Sequence, residues 1–353
     1  MSYQEILYFV YFLVLFLAIN ERFINSDSRD ICLYILSCLL ILTAAFRPIG
    51  DTLDTPMYVS VFEDIPDAFD WINFGFSHLE EYHLEYGYLI ANSFVKFIIN
   101  EYRIFLLIIS TVTISIYAII FKKNSPYPLL ALFCYVSILY VFREIVQIRN
   151  GMACALVLYS FQYIWQKNCK KFYFYNFLAG CFHITAFAAL PLYVLSKINW
   201  DKKKLIILFS ISMLLFQLEW IDNLMSLLLG NTSVFYRVTK YYGDVNAFRE
   251  VNDIKVLVYG ILGVGLLFFG NIKDYKYRTL IFIFFAGIFF QSSFHEFREV
   301  ADRGSAVLYT SLFLLIPMCI KYSKYRNYLL FVLYVTLPLY FYRTVNWLTN
   351  PLQ

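Results

Sequence analysis

Ten apolar runs divide this chain, at about 5–20, 31–46, 104–121, 128–142, 151–166, 205–221, 254–270, 279–294, 304–320 and 328–342. Uninterrupted apolarity of that length leaves few folds open. Lipid offers no partner to a backbone N–H or C=O, so only helices and closed barrels cross it. Barrel strands alternate apolar and polar residues, and these runs do not. Of the 353 residues, 60% are apolar and 15% charged, where a soluble domain carries about 25% charge. The mean hydropathy is +0.61, and 37 Phe with 31 Tyr exceed what one core can hide. The expected fold is an all-α polytopic integral membrane protein with about ten transmembrane helices. Soluble enzymes, nucleic-acid binders and secreted disulfide scaffolds are excluded.

The distribution of charge orients the runs, because short cytoplasmic loops collect Lys and Arg. Five connections do so: Lys122 and Lys123; Lys167, Lys170 and Lys171; Lys197 with Lys202, Lys203 and Lys204; Lys273, Lys276 and Arg278; Lys321, Lys324 and Arg326. Those fifteen basic residues meet two acids, Asp201 and Asp274. Segment 47–86 carries nine carboxylates against the single Arg47, which puts it outside, together with a longer loop at about 222–253. Only one of the runs 87–100 and 104–121 can then cross. The former is about 21 Å long at 1.5 Å per residue and contains Asn92 and Lys96, so it reads as a re-entrant or surface-lying outer helix. Both flanks of 172–195 are basic. That segment either dips in and out as a broken hairpin or crosses against the charge rule, and His183 with Thr185 near its middle favours the hairpin. Both termini fall outside. Residues 1–353 form a single transmembrane domain with no internal repeat or soluble linker. No cleavable signal peptide is evident, since Ile6–Ile19 has an acidic N-terminal flank and lacks a small-residue cleavage site. The seven cysteines lack a C-x-x-C spacing and are odd in number, so they read as small packing residues.

Ionisable groups at membrane depth are expensive and therefore functional candidates. Five polar clusters fall at the outer face: Arg47 through Tyr58 after the second run, Glu85-Tyr86-Gly87-Tyr88, Arg143 through Ala153, Phe182-His183-Ile184-Thr185-Ala186, and His295 through Gly304. Each has a plainer account. Arg143 and Arg149 could snorkel to headgroups, Asp51 and Asp54 could be turn residues, and a lone histidine such as His183 usually packs with a hydrogen bond. Their coincidence on one side outweighs this. Arg47, Arg149 and Arg303 all lie at the outer boundary, where arginine is normally sparse. Facing carboxylates and a polar hairpin there, they suggest an anionic ligand, because the guanidinium fork suits phosphate oxygens.

At these residues the sequence resembles the bacterial O-antigen and exopolysaccharide polymerases, the Wzy/EpsG-like family. The matching order is Arg-x(n)-Asp-Thr-x-x-Tyr (Arg47, Asp54, Thr55, Tyr58), Glu-x-Gly-Tyr (Glu85, Gly87, Tyr88), Ile-Arg-x-x-x-Ala (Ile148, Arg149, Ala153), a basic turn, and Phe-His-x-x-Ala (Phe182, His183, Ala186), followed by a late outer arginine, Arg303. Asp51 and Asp54 are both open for the acidic position. The resemblance implies a GT-C-like architecture in the bacterial inner membrane. It also implies glycosyl transfer on the periplasmic face: a growing glycan on undecaprenyl pyrophosphate is the donor, and a lipid-linked repeat unit is the acceptor. No cofactor or metal is expected. A polysaccharide chain-length regulator is expected as partner.

Within that reading, Arg149 and Arg303, with Arg47 or Arg143, hold the pyrophosphate as charge grows on it, the kind of electrostatic help that is commonly the largest catalytic contribution. Asp54, Glu85 or His183 takes the acceptor proton, His183 and Glu85 ranking ahead because a hairpin histidine or a helix-opening Glu can be aimed at a cavity. Tyr58, Tyr88 and Asp51 are assigned to substrate contact, and the aromatics of the acidic loop (Phe62, Phe69, Trp71, Phe74, Phe76, Tyr82, Tyr86) to sugar stacking or to a self-packed lid. Two other functions compete. A lipid-linked oligosaccharide flippase would also hold a pyrophosphate, but transporters often show related halves with matching broken helices, absent here. An O-antigen ligase shares donor and leaving group, and the Glu-x-Gly-Tyr and Ile-Arg-x-x-x-Ala pair favours the polymerase.

Overall fold

Capping residues at the polar turns set where the helices begin. The structure, a computed structural model, describes residues 2–50, 54–70, 82, 84–218 and 245–349, with backbone alone for 245–253 and 349. Helix α1 (Tyr3–Asn20) opens on a capping box in which Ser2 and Glu5 satisfy each other's backbone N–H. Asn25 caps α2 (Ser26–Ala45) through the Ser28 N–H at 2.8 Å. After α3 (Thr55–Asp64), α4 (Tyr86–Ile98) and α5 (Tyr102–Asn124) comes α6 (Pro128–Tyr135), with proline in its first turn where no N–H is needed. The buried carboxylate of Glu21 accepts the Leu129 and Leu130 N–H groups at 3.0 and 2.9 Å and so caps α6 from a distant turn.

Helix α6 continues as a π-helix over Val136–Val146, which the Gln147 N–H closes onto the Phe142 carbonyl five residues back at 2.8 Å. The π-turn folds the chain tightly onto α7 (Ile148–Trp165). A Cβ at Gly151 would stand 2.4 Å from the Arg143 carbonyl oxygen, so only glycine fits there. Then follow α8 (Cys169–Phe182), a 3-10 turn at Ile184–Ala189, α9 (Leu192–Leu195), α10 (Lys202–Phe216), α11 (Val245–Phe269), α12 (Tyr275–Ser293), α13 (Arg298–Tyr309), α14 (Leu312–Tyr322) and α15 (Arg326–Thr349). The central α7 is buried almost throughout, whereas α1 and α15 present Phe9, Phe12, Phe16, Phe331 and Leu339 outward. An apolar exterior over a packed interior is what lipid requires of a multi-pass protein.

Among the described residues five helices are long and apolar enough to cross: residues 3–23, 26–45, 102–124, 128–146 and 326–348. A sixth arises if α13 and α14, bent by 44°, count as one broken span. The four remaining runs of the ten expected from sequence form α7, α10, α11 and α12. Helix α10 has 15 residues, about 22 Å at helical rise, and α7 and α12 carry polar groups (Arg149 and Asn150; Lys276 and Arg278) that dilute their apolar character.

The basic turns gather at one end of the bundle. Lys276 donates to the Asn124 carbonyl and Oδ1 at 2.8 and 3.0 Å and lies over the Trp165 ring, and Lys123 reaches Gln162 at 3.1 Å. The Tyr322 hydroxyl meets Asp274 at 3.0 Å and Arg22 meets Asn327 at 3.2 Å. Gln4 and Tyr8 on α1 bond Asn346 near the end of α15, at the opposite end. Segment 172–195 is a hairpin. Phe172 and Tyr173 on the outgoing arm pack against Tyr193 on the returning one at 5.4 and 5.9 Å, while the tip, at His183, lies a helix length away. All seven cysteines are free; Cys134, Cys154 and Cys319 are buried, but Cys38 and Cys169 are exposed.

Candidate functional site

Five elements meet at the end opposite the basic turns, and each brings a motif residue. The start of α7 supplies Arg149. Its guanidinium pairs with Glu85, the residue preceding α4, and lies 5.7 and 5.8 Å from the ring centres of Tyr58 on α3 and Tyr88 on α4. Cation–π contact with two buried rings and an ion pair fix the plane of the fork. Tyr58 and Tyr88 therefore form the bed under Arg149, their rings 5.6 Å apart.

The hairpin tip docks on the same pair. Glu85 Oε1 accepts the Ile184 N–H at 3.3 Å, and Asn150 donates to Thr185 Oγ1 at 3.1 Å. His183 Nδ1 accepts the Thr185 backbone N–H at 3.3 Å, and the Thr185 hydroxyl lies 2.8 Å from it. An N–H can only donate, so the ring proton is assigned to Nε2. Burial first, then the charges of Arg303, Arg149 and Arg143, push the His183 imidazole down to about 3, which keeps the hairpin tip neutral.

The glycine of Glu-x-Gly-Tyr makes this docking possible. A Cβ at Gly87 would fall 2.6 Å from the Cys181 carbonyl oxygen, closer than backbone can yield without moving α4 off the hairpin. Gly87→Ala is expected to cost about 1–3 kcal/mol of stability and to lower turnover by parting Glu85 from Ile184. Thermal unfolding in detergent beside an elongation assay checks both; unchanged values in both would show that the approach is not needed.

Two more arginines complete the cluster. Arg143, in the π-helix, pairs with Gln147 and donates to the Asp302 carbonyl at 3.3 Å. Arg303 on α13 pairs with Glu299 one turn before it. Among the described residues, the buried Nε atoms of Arg143, Arg149 and Arg303 have no hydrogen-bond partner. Buried charged donors are normally satisfied, so three orphans in one cluster mark a place where acceptor oxygens belong. Asp54, at the start of α3, feels Arg303, Arg149 and Arg143. Burial nonetheless dominates and raises its carboxyl above the ordinary value. Among the described residues no side-chain hydrogen bond to this carboxylate is present.

Arg47 sits one layer below. It is fully buried and donates to the Ala44 carbonyl at 2.8 Å, the Glu144 carbonyl at 3.3 Å and Thr55 Oγ1 at 3.4 Å. It thereby ties the end of α2 to the residue after Asp54 and the residue after Arg143. Asp51 lies outside the described residues, as do Trp71, Phe74 and Phe76. Phe62 is a core residue packed on Tyr102 and Phe105, because its helix turns that face inward.

Some participants carried little weight in the sequence. Asp302 accepts from Lys255 at 2.7 Å and from Gln291 at 3.5 Å, with Arg298 at 3.7 Å, so it organises the cations behind Arg143. The i, i+4 spacing of Arg298 and Asp302 was the available signal. Lys255 had none beyond being a lone cation in an apolar run. Among the described residues no three His, Cys, Asp or Glu side chains gather as a metal site would need.

No curated protein and no solved structure matches the chain. A comparison with protein families matches the EpsG family over residues 30–352. That match takes in every element around Arg149, from the end of α2 to α13. The chain belongs to the EpsG family, a family of exopolysaccharide- and O-antigen-polymerase-like membrane proteins.

Proposed function

We propose that this protein is a membrane glycosyltransferase that polymerises undecaprenyl-pyrophosphate-linked oligosaccharide repeat units on the periplasmic face of the bacterial inner membrane. The reading rests above all on the three orphaned guanidinium Nε donors of Arg143, Arg149 and Arg303 beside a half-buried carboxylate, Asp54. A pyrophosphate leaving group gains charge as its bond to the sugar breaks. Fixed donors in a water-poor site stabilise that charge without reorganising.

In the reaction, the acceptor hydroxyl oxygen bonds to the anomeric carbon of the donor glycan as the carbon–oxygen bond to pyrophosphate breaks. The proton passes to a base, and undecaprenyl pyrophosphate departs. The hydrogen bonds favour Asp54 as that base. His183 would have to become an imidazolium beside three guanidiniums, and its Nδ1 already accepts from Thr185. Glu85 is engaged by Arg149 and the Ile184 N–H. This reverses the order drawn from sequence, and it leaves the His183 Nε2–H to donate to a substrate oxygen. Arg47 supports the cluster from beneath. A chain-length regulator remains the proposed partner, to be sought by pull-down in mild detergent; its absence there would count against it.

The test is turnover by purified protein in nanodiscs given the lipid-pyrophosphate-linked repeat unit alone. A ladder of lengthening glycans is expected. No ladder from folded protein, with movement of the substrate between leaflets of a proteoliposome, would replace the enzyme by a flippase.

A further inference from the structure

At the basic end of the bundle, away from the arginine cluster, a cavity of about 700 Å3 opens between the foot of the hairpin, the end of α7 and the start of α12. Lys167, Lys197 and Arg278 line it together with Tyr193, Tyr275 and Ser196. Among the described residues no carboxylate pairs with any of the three cations. Lys197 lies over the Tyr193 ring at 5.5 Å and Arg278 over the Tyr275 ring at 5.6 Å. Among the described residues neither of these cations donates a side-chain hydrogen bond, so their N–H donors are open.

Lys167 adds an independent observation. Its φ is 55°, and among the described residues it is the one non-glycine residue with positive φ. It occupies the left-handed position that ends α7, its N–H on the Ile164 carbonyl at 3.1 Å and the Asn168 N–H on the Tyr163 carbonyl at 2.9 Å. Glycine is the usual residue at such a helix end. A lysine kept in a strained conformation, with its side chain lining a cavity of uncompensated cations, points to use of that side chain.

We infer that this cavity binds a phosphate-bearing anion, from an anionic lipid headgroup or a soluble phosphoester, and so braces the foot of the hairpin whose tip carries His183. Three cations suit the charge, and the guanidinium fork of Arg278 suits paired phosphate oxygens. The tyrosine rings suit the boundary between headgroups and acyl chains. The foot and the tip are joined by the 14 residues of α8, about 21 Å, so the site is separate from the arginine cluster.

The full chain would be placed in nanodiscs of phosphatidylcholine with and without phosphatidylglycerol, and retained lipid read by native mass spectrometry. A second arm uses phosphatidylcholine discs and inorganic phosphate, read by thermal unfolding. Lys167→Gly is the informative variant, because glycine accepts φ 55° and the turn is kept while one charge is lost. Lys197→Ala removes a second. Lys324→Ala, in a separate basic cavity of about 420 Å3, controls for general surface charge. Retention of phosphatidylglycerol is expected to fall about fivefold in each of the first two variants and to hold in the third. If phosphate alone stabilises the unaltered chain but not the first two variants, the same site is confirmed with a soluble ligand. Overturning results are binding in neither arm, or binding that Lys167→Gly and Lys197→Ala leave unchanged.

Discussion

Arg149→Ala is expected to lower glycan elongation by about 10²- to 10³-fold, the loss seen when one fixed donor is removed from a developing anion. Three features of its setting argue for an effect of that size. The guanidinium is held by Glu85 and by two tyrosine faces at 5.7 and 5.8 Å, so its orientation is settled before substrate arrives. Its Nε is buried without a partner among the described residues. Its charge also bears on both Asp54 and His183. Lysine is not expected to rescue it, because an ammonium cannot lie flat over two rings and present a planar fork. Removing the arginine also strands the Glu85 carboxylate, which costs stability by itself. The double variant Arg149→Ala/Glu85→Gln separates the two effects. Thermal stability should return toward that of the unaltered chain while elongation stays lost. Recovery of elongation in the double variant would assign Arg149 to scaffolding and remove it from the reaction.

Much of this arrangement was legible in the sequence, for a physical reason. Charge is expensive near lipid, so the residues retained there are few, and their order along the chain constrains their meeting. Arg149, Glu85, Tyr88, Tyr58 and His183 were named from motifs and lie together. The basic flanks of 172–195 left a hairpin or a crossing against the charge rule open, and the polar break at His183 and Thr185 favoured the hairpin. Depth was not legible. Nothing in Arg47-Pro48 distinguishes an arginine facing a ligand from one buried against three backbone and hydroxyl oxygens, because that difference depends on where the end of α2 meets the π-helix. The π-helix itself has no periodic signature, and only the close approach at Gly151 reveals why its last turn is tight. Hydrogen-bond direction was likewise hidden. His183 ranks with Glu85 ahead of Asp54 as a base from position alone, whereas the Thr185 N–H on its Nδ1 is a contact between neighbours that only the backbone conformation reveals.

Asp54→Asn supplies the sharpest separation of base from scaffold, because activity and stability should move in opposite directions. Loss of a general base typically costs about 10²- to 10⁴-fold, and turnover should fall within that range. Burial raises the Asp54 carboxyl, so in the folded protein it binds its proton more tightly than in the unfolded chain. Stability from this group is then fully present below the ordinary carboxylate value and is lost as pH rises through the raised one. At neutral pH the ionised carboxylate is a net cost to folding, and asparagine removes it. The variant should therefore unfold at an equal or higher temperature at pH 7, with the difference closing as pH falls. The activity of the unaltered chain should rise with pH along a limb displaced upward from the ordinary Asp value, since the base works only when ionised. Asp54→Asn should lack that limb. His183→Gln should keep it, as an imidazole pushed down to about 3 stays neutral across the working range. A limb that survives in Asp54→Asn and vanishes in His183→Gln would move the proton transfer to the hairpin tip, and the three arginines would then have to tolerate an imidazolium among them.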